Sequence, residues 1–223
     1  METRSLKYLV SACSGELVSG SPELLVNSLC IDSRQARAGD WFVALAGERF
    51  NGHDFLTEAV RKGVAAVVVN RANAILATSR DCAVITVADT RQALGRLAAR
   101  YRTDFALPII AVGGSNGKTT TKELLAAVLR QKLVTLASEA SFNNDIGVPL
   151  TLLKLEAAHR VAVLEVGTNH PGELAPLVRM IQPKFGVITS LGREHLEFFG
   201  DRDGVLKEEG WLAELLPADG KLF

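Results

Sequence analysis

The 223-residue sequence has no surplus of charge. It holds 25 Lys and Arg against 25 Asp and Glu, for a net charge of 0. Bulk charge therefore offers no basic surface for nucleic acid, and only a local patch is left for such a role. Long apolar runs are missing as well. The longest, Gly63–Val69 and Leu107–Gly114, fall far short of the ~20 residues that cross a bilayer. The opening Met1-Glu2-Thr3-Arg4-Ser5 lacks the charged-then-apolar layout of a secretory signal. Cysteine is scarce, and Cys13, Cys30 and Cys82 form no Cys-x-x-Cys pair. Three such thiols read as reduced, in a cytoplasmic protein. Proline occurs only 7 times, and neither repeats nor low-complexity tracts occur. With 48% hydrophobic and 22% charged residues, the composition excludes general disorder.

What is present is an alternation of short apolar runs with amphipathic stretches, which reads as α/β. The length suits one large domain or two modest ones. In the first part, Ser28–Ile31, Trp41–Leu45, Ala65–Val69 and Val84–Val87 are expected strands. Helices are expected at Asp54–Lys62, closed by Gly63, and at Asp89–Tyr101, where apolar residues recur at three and four. Thr103–Pro108 breaks the pattern, so domains are expected at 1–105 and 106–223. Beyond the break, strands at Pro108–Val112, Val134–Ala137, Val161–Val166 and Gly186–Thr189 alternate with helices at Lys118–Gln131, Ile146–Leu153, Glu173–Ile181 and Gly204–Leu216. That order implies a parallel sheet with right-handed crossovers, which binds ligands at the carboxyl ends of its strands.

Chemistry should therefore sit just after each apolar run. After Ile109–Val112 comes Gly113-Gly114-Ser115-Asn116-Gly117-Lys118-Thr119-Thr120. Successive N–H groups in such a loop form an anion nest, and the following helix N-terminus adds positive potential. Lys118 is placed to meet the β/γ-phosphates of a nucleotide and Thr119 to meet Mg²⁺. The strict P-loop pattern wants glycine where Val112 stands, so this is a shortened variant. A Gly-x-Gly-x-x-Gly dinucleotide pattern is absent. After Val161–Leu164 comes Glu165, inside an apolar run where an unpaired charge is costly, which suits a hard-oxygen ligand for Mg²⁺. After Gly186–Thr189 comes Ser190-Leu191-Gly192-Arg193-Glu194-His195. With acids nearby, His195 reads equally as a ligand and as a salt-bridged surface residue. His53 reads as ordering a loop or contacting a substrate, His159 as solvated, and His170 as loop structure.

Together these residues resemble the Mur ligases, ATP-dependent amide ligases of peptidoglycan precursor synthesis, from about residue 25 onward. Asp32-Ser33-Arg34, Gly39–Leu45 and Gly47–Phe55 look like the family's uridine-nucleotide region, and Gly113–Thr120 like its ATP loop. Phe142–Leu153 and Glu165–Leu174 match the branch that adds D-alanyl-D-alanine to UDP-N-acetylmuramoyl-tripeptide (UDP-MurNAc-tripeptide). Gly192–Gly200 looks like the metal loop. The resemblance implies a small N-terminal α/β uridine-nucleotide domain, then a P-loop-type, mostly parallel central domain. It implies ATP and Mg²⁺ as cofactors, UDP-MurNAc-tripeptide and D-Ala-D-Ala as substrates, and a monomer without nucleic-acid partners. Lys118, Glu165 and His195 become catalytic. Thr119, Glu165 and His195 become metal ligands, and Ser33, Arg34, Gly52, His53, Asn143 and Asn144 become substrate contacts. In this chemistry ATP phosphorylates the substrate carboxylate, and the amine of D-Ala-D-Ala attacks the acyl phosphate.

The sequence departs from the family at one place. Many Mur ligases carry a carbamylated lysine fourteen residues past the metal-binding histidine, and here that position is Glu209. Glu209 is expected either to replace the carbamate at the metal, directly or through water, or to be a solvated helix acid beside Lys207 and Glu208. A P-loop GTPase or kinase is the first rival, weakened by the absence of a guanine-reading Asn-Lys-x-Asp. MurE or folylpolyglutamate synthetase is the second, opposed by Phe142–Leu153. The third is a fragment that binds nucleotide without turnover. A full Mur ligase has three domains and about twice this length. The chain itself is therefore expected to be inactive. Lys221-Leu222-Phe223 reads as the start of a strand in the central sheet, leaving an unpaired edge.

Overall fold

A computed structural model of the chain describes residues 1–47, 50–73, 82–192 and 196–223. It divides into two units, Met1–Arg100 and Tyr101–Phe223.

The first unit runs β1 (Arg4–Ser5), α1 (Leu6–Cys13), β2 (Glu16–Ser19), β3 (Leu25–Val26), β4 (Leu29–Cys30), β5 (Trp41–Val43), α2 (Leu56–Arg61), β6 (Ala66–Asn70) and β7 (Ala83–Val87). α3 (Thr90–Arg102) follows. The main sheet has the order β2-β7-β6-β5-β4, with β2 antiparallel to β7 and the other pairs parallel. β1 and β3 form a separate antiparallel pair. The expected strands of this part correspond to β4–β7. Their continuous apolar runs suit strands buried on both faces. Phe42, Val67, Val69 and Val84 pack with Leu56 and Ala59 of α2 in one buried cluster. The expected Asp54–Lys62 helix begins instead as a 3₁₀ turn at Gly52–Phe55, and Gly63 then closes α2 at φ 82°. Sequence reading missed α1, a two-turn helix. Ser5 caps it by accepting from the Tyr8 N–H, and it buries Leu6, Leu9 and Cys13. Helices this short draw their stability from burial rather than propensity.

The second unit runs β8 (Ile109–Gly113), α4 (Lys118–Leu129), β9 (Thr135–Ala137), α5 (Gly147–Leu152), β10 (Val161–Glu165), α6 (Leu174–Ile181), β11 (Phe185–Ile188), α7 (Leu196–Phe199), α8 (Arg202–Glu209), α9 (Trp211–Glu214) and β12 (Lys221–Leu222). Its sheet has the order β12-β11-β8-β10-β9 and every pair is parallel. Lys221 and Leu222 pair with Phe185 and Gly186, so the expected strand does join the sheet, at its edge. α4 lies against β8, β9 and β10, while α6 packs on α5, α8 and α9. α6 buries Leu174, Ala175, Leu177, Val178 and Ile181, the helical spacing of one apolar face.

One expected element is corrected: Gly204–Leu216 is two helices, α8 and α9, parted at Gly210. A Cβ at Gly210 would lie 2.9 Å from the Leu206 carbonyl, so the close turn between them needs glycine. Asp201 starts α8, its Oδ1 accepting from the Gly204 N–H at 2.9 Å. Among the described residues no helix is long and apolar enough to cross a membrane.

Candidate functional site

In the second unit the chain leaves β8 for β9 and β10 on one side, then crosses to β11 on the other. β8 is thus the switch point of the sheet, and its carboxyl end is where such sheets bind ligands. The loops after β8, β10 and β11 meet there.

The glycine loop turns out of β8 through Gly114 at φ 105° and enters α4 through Gly117 at φ 83°. Side chains rarely adopt these values, which is why glycine stands at both. The first half of the loop is tied down. The Thr189 N–H and hydroxyl both donate to the Gly113 carbonyl at 3.1 Å. The Ser115 N–H donates to the Ser190 carbonyl at 2.9 Å, and the Asn116 N–H to Ser190 Oγ at 3.0 Å. The Gly114 N–H donates to Glu209 Oε2 at 2.7 Å. What remains for an anion is the second half, Gly117 to Thr120. Its N–H groups belong to the first turn of α4, which has no intrahelical acceptor for them. Lys118 Nζ donates to the Gly114 and Ser115 carbonyls of its own loop.

Glu165 is the centre of the site. It is 1% exposed, and both its carboxylate oxygens are held. Thr119 Oγ1 donates to Oε2 at 2.9 Å and Asn143 Nδ2 to Oε1 at 2.9 Å. The Glu165 N–H donates to Ser138 Oγ at 3.0 Å. Thr119 and Glu165 thus bring two hard oxygens together at the mouth of the glycine loop, the donor type Mg²⁺ takes. Among the described residues no three His, Cys, Asp or Glu side chains form a metal cluster. His195 lies outside the described residues, as do Arg193 and Glu194 beside it and Glu48 and Arg49 of the first unit.

Sequence reading missed Lys122. It is fully buried, and its Nζ donates to the Ser138 carbonyl at 2.8 Å, the Ala140 carbonyl at 2.9 Å and Glu123 Oε1 at 2.8 Å. It pins to α4 the segment that carries Ser138 and Asn143, and Ala140 there has φ 43°. Its signal was a lysine on the same helix stripe as buried Ala126. Ser138 could have been found by the strand-end rule, since it directly follows β9.

The residues read as substrate contacts divide. Asn143 serves Glu165. Asn144 Oδ1 accepts from the Ile146 and Gly147 N–H groups at the start of α5. Ser33 is 5% exposed and donates to Glu58 Oε2 at 2.9 Å. His53 is 3% exposed, with Nδ1 2.7 Å from Asn51 Oδ1 and Nε2 accepting from the Asn70 N–H at 3.0 Å. That pattern assigns a neutral ring, and burial lowers its pKa below the usual value. His53 thus orders a loop, one of the two roles expected of it. A Cβ at Gly52 would lie 2.7 Å from the Leu45 nitrogen, so this glycine serves a close backbone approach. Arg34 is different. Its side chain is 84% exposed, yet the guanidinium is oriented by three hydrogen bonds to the Asp32 carboxylate, which it holds down at about 2. The three cysteines are buried outside any disulfide, and burial pushes Cys13 up to about 12.

Comparison with known proteins meets this geometry. Residues 112–223 match the Mur ligase middle domain, and residues 25–102 match the Mur ligase family, catalytic domain. The Escherichia coli (strain K12) UDP-N-acetylmuramoyl-tripeptide–D-alanyl-D-alanine ligase is 39% identical over 97% of this chain and 46% of its own length. A crystal structure of MurF from Acinetobacter baumannii is 37% identical with a TM-score of 0.92, covering 100% of this chain and 48% of that one. MurF from Thermotoga maritima, solved in complex with ADP, is 31% identical with a TM-score of 0.80, over 88% and 45%. The chain spans about half the length of the curated relatives it matches. Two domain matches in sequence order, one of them over the half that carries the glycine loop and Glu165, decide the matter: the chain belongs to the Mur ligase family.

Proposed function

We propose that the chain carries the nucleotide-handling part of an ATP-dependent amide ligase that adds D-Ala-D-Ala to UDP-MurNAc-tripeptide in peptidoglycan precursor synthesis. The observation that carries this is the Thr119–Glu165 contact at the mouth of the glycine loop. The named activity of the Escherichia coli relative supports it.

A carboxylate resists attack by an amine because its leaving oxygen is poor. Transfer of the γ-phosphoryl group from ATP converts that oxygen into a phosphate, and the amine then displaces it. The first step presses two anions together, so the protein must supply positive potential. Lys118 does so by exchanging its loop carbonyls for phosphate oxygens. The first-turn N–H groups of α4 add the helix-terminal field. Thr119, Glu165 and His195 would hold Mg²⁺, which would supply Lewis-acid charge for the transferring phosphoryl group. Asn143 and Ser138 keep Glu165 oriented. In the first unit, the exposed and oriented guanidinium of Arg34 suits the diphosphate of a UDP-sugar.

The test is calorimetric titration of the 223-residue chain with MgADP and MgATP. Saturable binding with Kd below about 1 mM, abolished by Lys118→Ala, is expected. A folded chain that takes up no MgADP, or binds it equally well after Lys118→Ala, overturns the reading. UDP-MurNAc-tripeptide should bind separately and weaken on Arg34→Ala.

A further inference from the structure

Glu208 and Glu209 end α8 with two consecutive buried carboxylates, 5% and 1% exposed. Successive helix residues point about 100° apart, so neighbours serve different partners. Glu208 turns to the loop after β10, where Oε2 accepts from the Gly172 N–H at 2.9 Å and Oε1 from the Leu174 N–H at 2.8 Å. Glu209 turns to the loop after β8 and accepts from the Gly114 N–H at 2.7 Å. Lys207, the third member of the run, is exposed.

We infer that Glu209 is a positioning residue that anchors the phosphate loop through Gly114, and that with Glu208 it makes the last turn of α8 a clamp on the loops after β8 and β10. The inference rests on the nucleotide-binding reading above and gives Glu209 a place in the loop's scaffold rather than in the metal's ligand set.

A second observation agrees. A Cβ at Gly113 would lie 2.8 Å from Glu209 Oε2 and 3.3 Å from Leu212 Cδ2. Glycine at 113 is what lets the carboxylate reach the loop backbone. The glycine at 113 and the acid at 209 are thus two halves of one contact. An N–H that donates to a buried carboxylate makes a charge-assisted bond and is turned away from a phosphate. The loop therefore divides its labour. Gly114 is held by α8, and the first turn of α4 is left to receive the anion. The positive-φ turn at Gly114 is held by Glu209 without a nucleotide.

The experiment compares the wild-type 223-residue chain with Glu209→Gln, Glu209→Ala and Glu208→Ala. Amide exchange of Gly114, Gly172 and Leu174 is read without nucleotide or Mg²⁺, and MgADP binding is read against Mg²⁺ concentration. Glutamine keeps an acceptor oxygen, so Glu209→Gln should leave Gly114 exchange within about threefold and the Mg²⁺ requirement unchanged. Glu209→Ala should speed Gly114 exchange at least about tenfold, the scale of a lost hydrogen bond to a charged group. Glu208→Ala should speed Gly172 and Leu174 while sparing Gly114. Unchanged Gly114 exchange in Glu209→Ala overturns the proposal. So does a raised Mg²⁺ requirement in Glu209→Gln, the mark of a metal ligand. If the wild-type chain takes up no MgADP, the nucleotide reading falls while the exchange rates still decide the role of Glu209.

Discussion

Replacing Lys122 by methionine tests whether a buried cation organises the site from behind. Methionine is close in length and apolar, so it fills the same space. What it removes is the ammonium that donates to the Ser138 carbonyl at 2.8 Å and the Ala140 carbonyl at 2.9 Å. Ser138 is 2% exposed, and an unpaired buried carbonyl there costs about 1–3 kcal/mol. Ala140 is exposed, so water recovers most of its bond. Glu123 keeps its solvation, with its side chain 54% exposed, so no buried charge is stranded. The expected loss is about 2 kcal/mol in urea unfolding of the second unit. The same change frees the segment carrying Ser138 and Asn143, so MgADP affinity should fall about tenfold through Glu165. A loss below about 0.5 kcal/mol, the range of ordinary surface substitutions, would refute the reasoning.

Two further outcomes follow from the same structure. His53 must stay neutral to accept from the Asn70 N–H, and burial depresses its folded pKa. Its stabilising contribution is therefore present above the unfolded value of about 6.5 and is lost as pH falls below it toward the folded pKa. Unfolding of the first unit at pH 7.5 and 5.5 should show the drop, and His53→Gln should flatten it. Gly113→Ala forces a Cβ against Glu209 Oε2 and should cost about 1–3 kcal/mol. In a Glu209→Ala background the same change should cost at least about 1 kcal/mol less, and simple additivity of the two would count against their contact.

The glycine loop, Glu165 and the strand-end positions were legible because they follow from rules of local spacing. A strand, two glycines, a lysine and a threonine in order leave few arrangements, and the carboxyl ends of parallel strands are where the chemistry gathers. The burial of Lys122 and of the Glu208–Glu209 pair was not legible, although spacing from His195 had singled out Glu209. A lysine in a helix and acids at a helix end are ordinary surface residues until packing buries them. For Ser33 and His53 the motif left the partners open, and only the folded unit shows the Ser33 hydroxyl engaged with Glu58 and the His53 ring bonded at both nitrogens. α1 and the split at Gly210 escaped because short helices are decided by what they bury and where the chain must turn.

The sequence by itself determined the α/β class, the succession of β8, loop and α4, and the acid that ends the apolar run of β10, because those depend on periodicity and on residues adjacent along the chain. Only the tertiary structure decided which N–H groups of the loop are spent on anchoring and which face the site. It also turned Glu209 inward to Gly114 and withdrew Lys122 from water. These are contacts across 95 and 16 to 18 residues of chain, set by burial and by the approach of backbone to side chain, and no local pattern encodes them.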